Sequence, residues 1–417
     1  MRFTILRIAW RNLGRNRKRT ALAVAAIALG QLTLVAVNGL MAGMFEDMLR
    51  TITGPLVGHV QVYHKNWRDE QAIDLYVDHL GKIRKSIEAI PAVKSVSPRI
   101  YAPVLAVRGE KTDEPADAEA AMVVGLDVTV ESRRGGILDT LGPGELPGAK
   151  GVVLGKVLAR RLGLQAGQQI AVIGQDIDEA PASELYVVKA VIAGKTDVVN
   201  RLGIILSLDD AGALLNMPDQ AHEILVQGDD YRNAGDLARR IAAIPGLGDA
   251  TVLTWRQAAP DLVSLLDMKN WSDAIFIAIL FLAAAAGIAN TMMMATFERR
   301  RELGMLLALG ARPKRVVRLV LLESIVLGLV GVAIGSVLGT ALVLVTSHTG
   351  IDYGALGGLG GQEMAFRGLN FSYVVYPRFE FRQIAFGFIA VTATAVLASL
   401  WPAMTAARLE PAEATRS

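Results

Sequence analysis

The chain has 417 residues, 52% of them hydrophobic and 20% charged, with a formal net charge of +3 and no cysteine. That is too apolar for an ordinary soluble protein and too charged for one immersed in a membrane throughout, so a few spans joined to a sizeable soluble domain fit best. The lack of cysteine excludes disulfides and thiolate metal sites, and a soluble segment of about two hundred residues must hold itself with its own core.

Residues 1–20 carry Arg2, Arg7, Arg11, Arg15, Arg17, Lys18 and Arg19 and no acidic residue. Phe3, Leu6, Trp10 and Leu13 interleave at helical spacing, which predicts a basic amphipathic helix on the inner leaflet rather than a nucleic-acid arm. Residues 21–45 are uncharged and long enough to cross a bilayer. That run exceeds the apolar region of a cleaved signal peptide, and the cationic start orients it N-in.

Residues 46–270 are mixed, charged and globular. Strands are predicted at 58–63 and, interrupted at Pro98 and Pro103, over 93–107, with a helix at 82–90 between them. Near the other end the same order returns as a strand at 222–226, a helix at 234–244 and a strand at 250–253. Ile87-Glu88-Ala89-Ile90-Pro91 matches Ile241-Ala242-Ala243-Ile244-Pro245, so the two ends read as a duplicated βαβ unit in a split arrangement. Between them a β-rich lobe is expected over about 119–221. Its strands fall near 121–124, 151–154, 169–173, 185–192 and 204–206, with a short helix at 156–162 ending at Gly163. Gly135-Gly136 and Gly142-Pro143-Gly144 mark surface turns.

A second span follows at 271–297, then a basic connector at 298–316 and a third span at 317–347. In that third span Gly331, Gly335 and Gly339 stand at small-xxx-small spacing, which lets another helix approach closely. Residues 348–382 form an extracytoplasmic loop with a glycine-rich piece at 354–361 and an extended piece at 371–376. The fourth span is 383–407, and 408–417 is a short tail. Four spans put both termini in the cytoplasm and 46–270 outside, in keeping with the basic N-terminus and connector.

The connector is the element around which the chain is organised. Leu303, Leu306 and Leu307 fall at i, i+3 and i+4 and predict one apolar stripe. Gly310 suits the position just past the helix end, and Pro313 suits the first turn of the next helix. Two readings fit it: a helix resting on lipid, or a lever that docks into a cytoplasmic partner. Glu323, an acidic residue well inside an apolar run, would snorkel or pair with Arg318 or another basic neighbour. No Walker motif is present and no nucleophile–base pair is evident, so the chain reads as a non-enzyme without a cofactor. His59, His64, His79, His222 and His348 lack metal-ligand spacing.

Glu298-Arg299, Arg301-Glu302-Leu303-Gly304, Leu309-Gly310-Ala311 and Glu323-Ser324 followed by glycines resemble the signature of FtsX/MacB/LolC-LolE-type ABC transporter permeases. Pro402, Ala406-Ala407-Arg408-Leu409 and Pro411 resemble the family's C-terminal pattern. The resemblance implies an α-helical membrane protein with four transmembrane helices plus an α+β extracytoplasmic domain, a porter-like duplicated βαβ with an inserted sabre-like lobe. It also implies that the connector is a coupling helix receiving force from a separate ATPase. Glu298, Arg299, Arg301, Glu302, Leu303, Gly304, Leu306, Leu307 and Gly310 would carry that coupling. The layout is most similar to lipoprotein-releasing LolC/LolE permeases of a bacterial inner membrane. The implied partners are ABC ATPase subunits, a second permease (identical or paralogous), membrane lipid and a periplasmic carrier, with no nucleic acid. A scaffold that activates cell-wall hydrolases, and efflux of peptides or small amphiphiles, are the alternative functions.

Overall fold

The computed structural model describes residues 17–54, 56–109, 118–193, 197–352, 364–366, 369–371 and 374–408. The basic helix expected over 1–20 lies outside them up to Asn16, as do the glycine-rich piece and residues 409–417. The chain divides into two compact units, one of residues 1–46, 265–360 and 374–417, the other of residues 47–264 and 361–373.

The first unit is helical: α1 is Arg17–Thr53, α2 Pro260–Glu298, α3 Arg300–Ala308, α4 Pro313–Thr349 and α5 Phe381–Ala407. All but α3 are long and apolar enough to cross a membrane. Of these, α1 and α2 run furthest beyond the expected spans. At 1.5 Å per residue α1 and α2 reach about 55–60 Å, against about 30 Å of hydrocarbon. The uncharged run tracks the apolar solvent, whereas the helix continues until its hydrogen-bond ladder is stopped.

In this unit α4 is the central element, burying a residue every third or fourth position from Val316 to Val343. Its glycines make that possible. A Cβ at Gly331 would come within 2.7 Å of Ile27, one at Gly335 within 2.4 Å of the Ala28 carbonyl oxygen, and one at Gly339 within 2.9 Å of Val35. A side chain at any of them would therefore force α1 away. Gly328 faces α5 instead, where a Cβ would meet Val391 at 3.1 Å. Beside this row the buried Gln31 amide donates to Ser336 Oγ at 3.2 Å. Outside the helices, the Arg378 N–H donates to the Gly39 carbonyl at 2.8 Å and its guanidinium pairs with Glu46 at 3.3 Å, which ties the α4–α5 connection to α1.

The second unit is built on nine strands: β1 Val60–His64, β2 Val93–Arg108, β3 Ala118–Leu126, β4 Gly151–Gly155, β5 Gln169–Gln175, β6 Pro181–Ile192, β7 Gly203–Ser207, β8 Glu223–Gly228 and β9 Ala250–Thr254. Their order is β3-β7-β4-β6-β5-β2-β8-β1-β9. The two βαβ halves, β1–Leu80–Glu88–β2 and β8–Ala234–Ala242–β9, interleave, because β8 pairs between β1 and β2 while β1 pairs between β8 and β9. Both Ile-Pro junctions end their helices alike, Ile90 donating to Ile87 and Ile244 to Ile241, each at 3.0 Å. The helices bury Ile83, Ile87, Leu237 and Ile241, while Val60, Val62 and Val226 are buried in the strands.

The expected break of the second strand at Pro98 and Pro103 does not occur: β2 runs unbroken for 16 residues. Each proline sits where β2 has a partner on one side only. Pro98 is opposite Ile224 of β8, just before the pairing with β3 begins, and Pro103 is opposite Met122 of β3, in the gap between β8 and β5. A missing N–H costs little there. The far half of β2 pairs with both β3 and β5, so β3, β7, β4, β6, β5 and β2 close on themselves as a barrel. The β-rich lobe thus shares a strand with the duplicated unit.

Candidate functional site

The connector joins α2 to α4. Arg299 is the residue before α3, and the Leu303 N–H donates to its carbonyl at 2.9 Å. The C-terminus is closed by paired bonds, Gly310 N–H to Leu307 O and Ala311 N–H to Leu306 O, both 3.0 Å. They require the positive φ of 86° at Gly310, which glycine adopts without strain. Arg312 and Pro313 then open α4, with proline in its first turn.

The expected stripe is split. Leu303 is 2% exposed and packs with Val316 and Ala406, and Leu307 joins that cluster from its edge. Gly304 is buried beside it. The outward apolar face is Met305, Leu306 and Leu309, which are 45%, 41% and 86% exposed. Leu303, Leu306 and Leu307 therefore do not form one docking surface. The helix is apolar on both sides, and i, i+3, i+4 spacing alone does not say which side faces the fold. Met305 was not singled out from sequence, and Leu309 only as part of the family signature, not of the stripe. The available signal was spacing, since Leu309 stands at i+4 from Met305 and at i+3 from Leu306. Arg301 in the helix and Arg312, Lys314 and Arg315 just after it are exposed.

Arg299 fixes the start of the connector. Its Nη1 donates to both oxygens of Glu323 at 2.8 and 3.0 Å, and its Nε donates to Glu302 at 3.2 Å. Glu323 is 5% exposed, so the buried carboxylate is met by a fork of charge-assisted bonds. Its partner is thus Arg299, not Arg318. The next residue, Ser324, is fully buried and shares a 2.7 Å hydrogen bond with Ser399 of α5. The joint between α2 and α3 is in this way tied to α4, and α4 to α5. Glu298 and Arg301 are exposed at the start of the connector. Among the described residues, no group of three or more His, Asp or Glu could hold a metal ion.

Residues 20–244 match the MacB-like periplasmic core domain, and residues 274–411 match the FtsX-like permease C-terminal region. The chain is 23% identical to the lipoprotein-releasing system transmembrane protein LolE of Haemophilus influenzae, over 98% of both chains. It is 22% identical to the corresponding LolC of Xylella fastidiosa strain 9a5c, over 94% of this chain and 92% of that one. A third relative, the pyoverdine export ATP-binding/permease protein PvdT of Pseudomonas putida, is 23% identical over 99% of this chain and 59% of its own length. With a MacB-like core spanning more than half of its residues and an FtsX-like region holding the connector, the chain belongs to the ABC transporter permeases of the LolC/LolE/MacB type.

Proposed function

We propose that the chain is a permease subunit that takes force from a separate cytoplasmic ATPase through α3 and passes it on to its extracytoplasmic domain. The observation that carries this reading is the outward face of Met305, Leu306 and Leu309. It lies on a helix whose start is pinned by Arg299 to Glu323 and whose end is closed at Gly310. A short helix held at both ends moves as a lever, and an apolar face with exposed cations in and just after its helix suits a groove with an acidic border. Glu298, Arg301 and Glu302 would lie at the rim, while Leu303, Gly304 and Leu307 hold the lever to the rest of the unit.

The cargo is a lipidated or amphiphilic substrate, lipoproteins first, since the likeness to the lipoprotein-releasing LolE and LolC proteins runs nearly end to end. The likeness to a pyoverdine exporter supports export of a small amphiphile as the second reading. The permease would work beside a second permease in a bacterial inner membrane, with both termini cytoplasmic. Cysteine placed at Leu306 in this cysteine-free chain should cross-link to the ATPase during turnover, and Leu306→Glu should abolish cargo movement while the protein still inserts. Normal transport by Leu306→Glu together with no cross-link would remove the coupling role.

A further inference from the structure

A cavity of about 710 Å³ opens in the MacB-like unit, within the size range of small-molecule sites. Along β1, Val60 and Val62 alternate with Gln61 and Tyr63, and it is the second pair that lines the cavity. Gln61 is 7% exposed and is one of the residues that line the cavity. Its amide offers one donor group and one acceptor to whatever enters the cavity.

Glu223 lies across from Tyr63 in the β1–β8 pairing. The Tyr101 hydroxyl donates to its Oε2 at 3.1 Å, and Oε1 has no hydrogen-bond partner among the described residues. Burial raises the pKa of this carboxyl, with Arg99, Tyr101 and Arg68 only partly offsetting it. Arg99 is itself matched by Glu131 at 2.7 Å. Arg68 donates to the carbonyls of Gln257 and Ala258 and makes no ion pair among the described residues. Of the residues lining the cavity, Arg68 and Glu223 alone are charged, one of each sign. The wall between them is preset, because Trp67 stacks on His222 with ring centroids 4.3 Å apart. Met122, Val198 and Leu202 supply an apolar side.

We infer that this cavity binds a small zwitterion with free amino and carboxylate ends and an apolar side chain, an α-amino acid or a dipeptide. The ammonium group meets Glu223 Oε1 and the Gln61 carbonyl oxygen, the carboxylate meets Arg68, and the side chain lies against Met122, Val198 and Leu202. A lone cation would face Arg68 and a lone anion would face Glu223, while a neutral polyol would leave both charges without a counter-charge. The site is separate from α3, and its occupancy does not depend on the coupling reading.

Titration calorimetry on the full chain in lipid nanodiscs tests it, with leucine, leucyl-leucine, N-acetyl-leucyl-leucine amide and glycerophosphoethanolamine as probes. Leucine or leucyl-leucine should bind saturably at one site per chain, and the doubly capped dipeptide should not. Glu223→Gln and Arg68→Ala should each weaken binding about tenfold or more, as loss of a charge-assisted bond does. Leu306→Glu should leave it unchanged. Arg68 is exposed, so Arg68→Ala decides the matter even if Glu223→Gln fails to fold. No saturable binding of leucine or leucyl-leucine, equal binding of the capped dipeptide, binding of glycerophosphoethanolamine alone, or unchanged affinity in Arg68→Ala would overturn the inference.

Discussion

At Leu303 the side chain is enclosed by Val316 and Ala406, whereas three positions on at Leu306 it faces outward. Truncating an enclosed leucine costs about 2–5 kcal/mol, because the cavity left behind collapses only in part. Leu303→Ala should therefore lower the thermal midpoint of the purified chain in detergent, and Leu306→Ala should barely move it. Equal losses in the two variants would mean that both leucines are buried. The Arg299–Glu323 pair gives a second residue-level test. Removing one member of a buried pair strands the other charge at a cost of about 3–5 kcal/mol. Glu323→Ala should reduce folded yield, and Arg299→Glu combined with Glu323→Arg should recover much of it. Recovery by the Glu323→Arg change alone would show that the pairing is not what matters. This pair was half legible in the sequence. An acidic residue in an apolar run asks for a cation, but Arg318 on its own helix and Arg299 across the connector answer equally well until the helices are packed.

Elements differ in how much of them a sequence can reveal, and the difference follows from where their hydrogen bonds go. Helices close their bonds locally, so the four spans and the glycine end of α3 were readable from runs of residues and caps. Strand pairing is non-local. Pro98 and Pro103 read as breaks in β2 because nothing nearby in the sequence says that each falls beside an unpaired stretch. The sharing of β2 by the barrel and the duplicated unit was hidden for the same reason. The glycine row of α4 makes its own prediction at this scale. A Cβ at Gly335 would already lie 2.4 Å from the Ala28 carbonyl, and a branched side chain needs far more room. Gly335→Leu should separate α1 from α4 and sharply lower folded yield, while Gly287→Leu, where nothing lies within 4 Å, should be tolerated. A cysteine pair replacing Gln31 and Ser336, whose side chains meet at 3.2 Å beside this row, should cross-link, and its failure to do so would refute the close approach.

For the molecule as a whole, the nine strands and both βαβ helices lie in residues 47–264. This stretch should therefore fold when expressed alone and give dispersed amide spectra. Its stability should then depend on pH in a direction set by its buried polar groups. His222 is fully buried, accepting from the Tyr101 N–H at 2.9 Å through Nδ1 and meeting the Ile73 carbonyl at 2.9 Å through Nε2, an arrangement that requires the neutral ring. Burial lowers its pKa from 6.5 to about 4, with the Ile73 carbonyl only partly offsetting it. Between those values the unfolded chain takes up a proton that the folded one refuses, so stability is full above about pH 6.5 and falls as pH drops toward 4. The loss comes to about 3 kcal/mol. Glu131 adds to it at lower pH. Burial would raise its carboxyl, but Arg99, Ser97 and the Ile137 N–H hold it below the ordinary value, so its contribution fades as pH falls through that depressed pKa. Glu223 works the other way, since acid relieves the cost of burying its charge. Urea unfolding of residues 47–264 should therefore show stability decreasing from pH 7 to pH 4.5. His222→Asn, which keeps an acceptor for Tyr101 but has no proton to gain, should be less stable at pH 7 yet clearly flatter across that range. A slope in His222→Asn as steep as in the parent would remove His222 as the source.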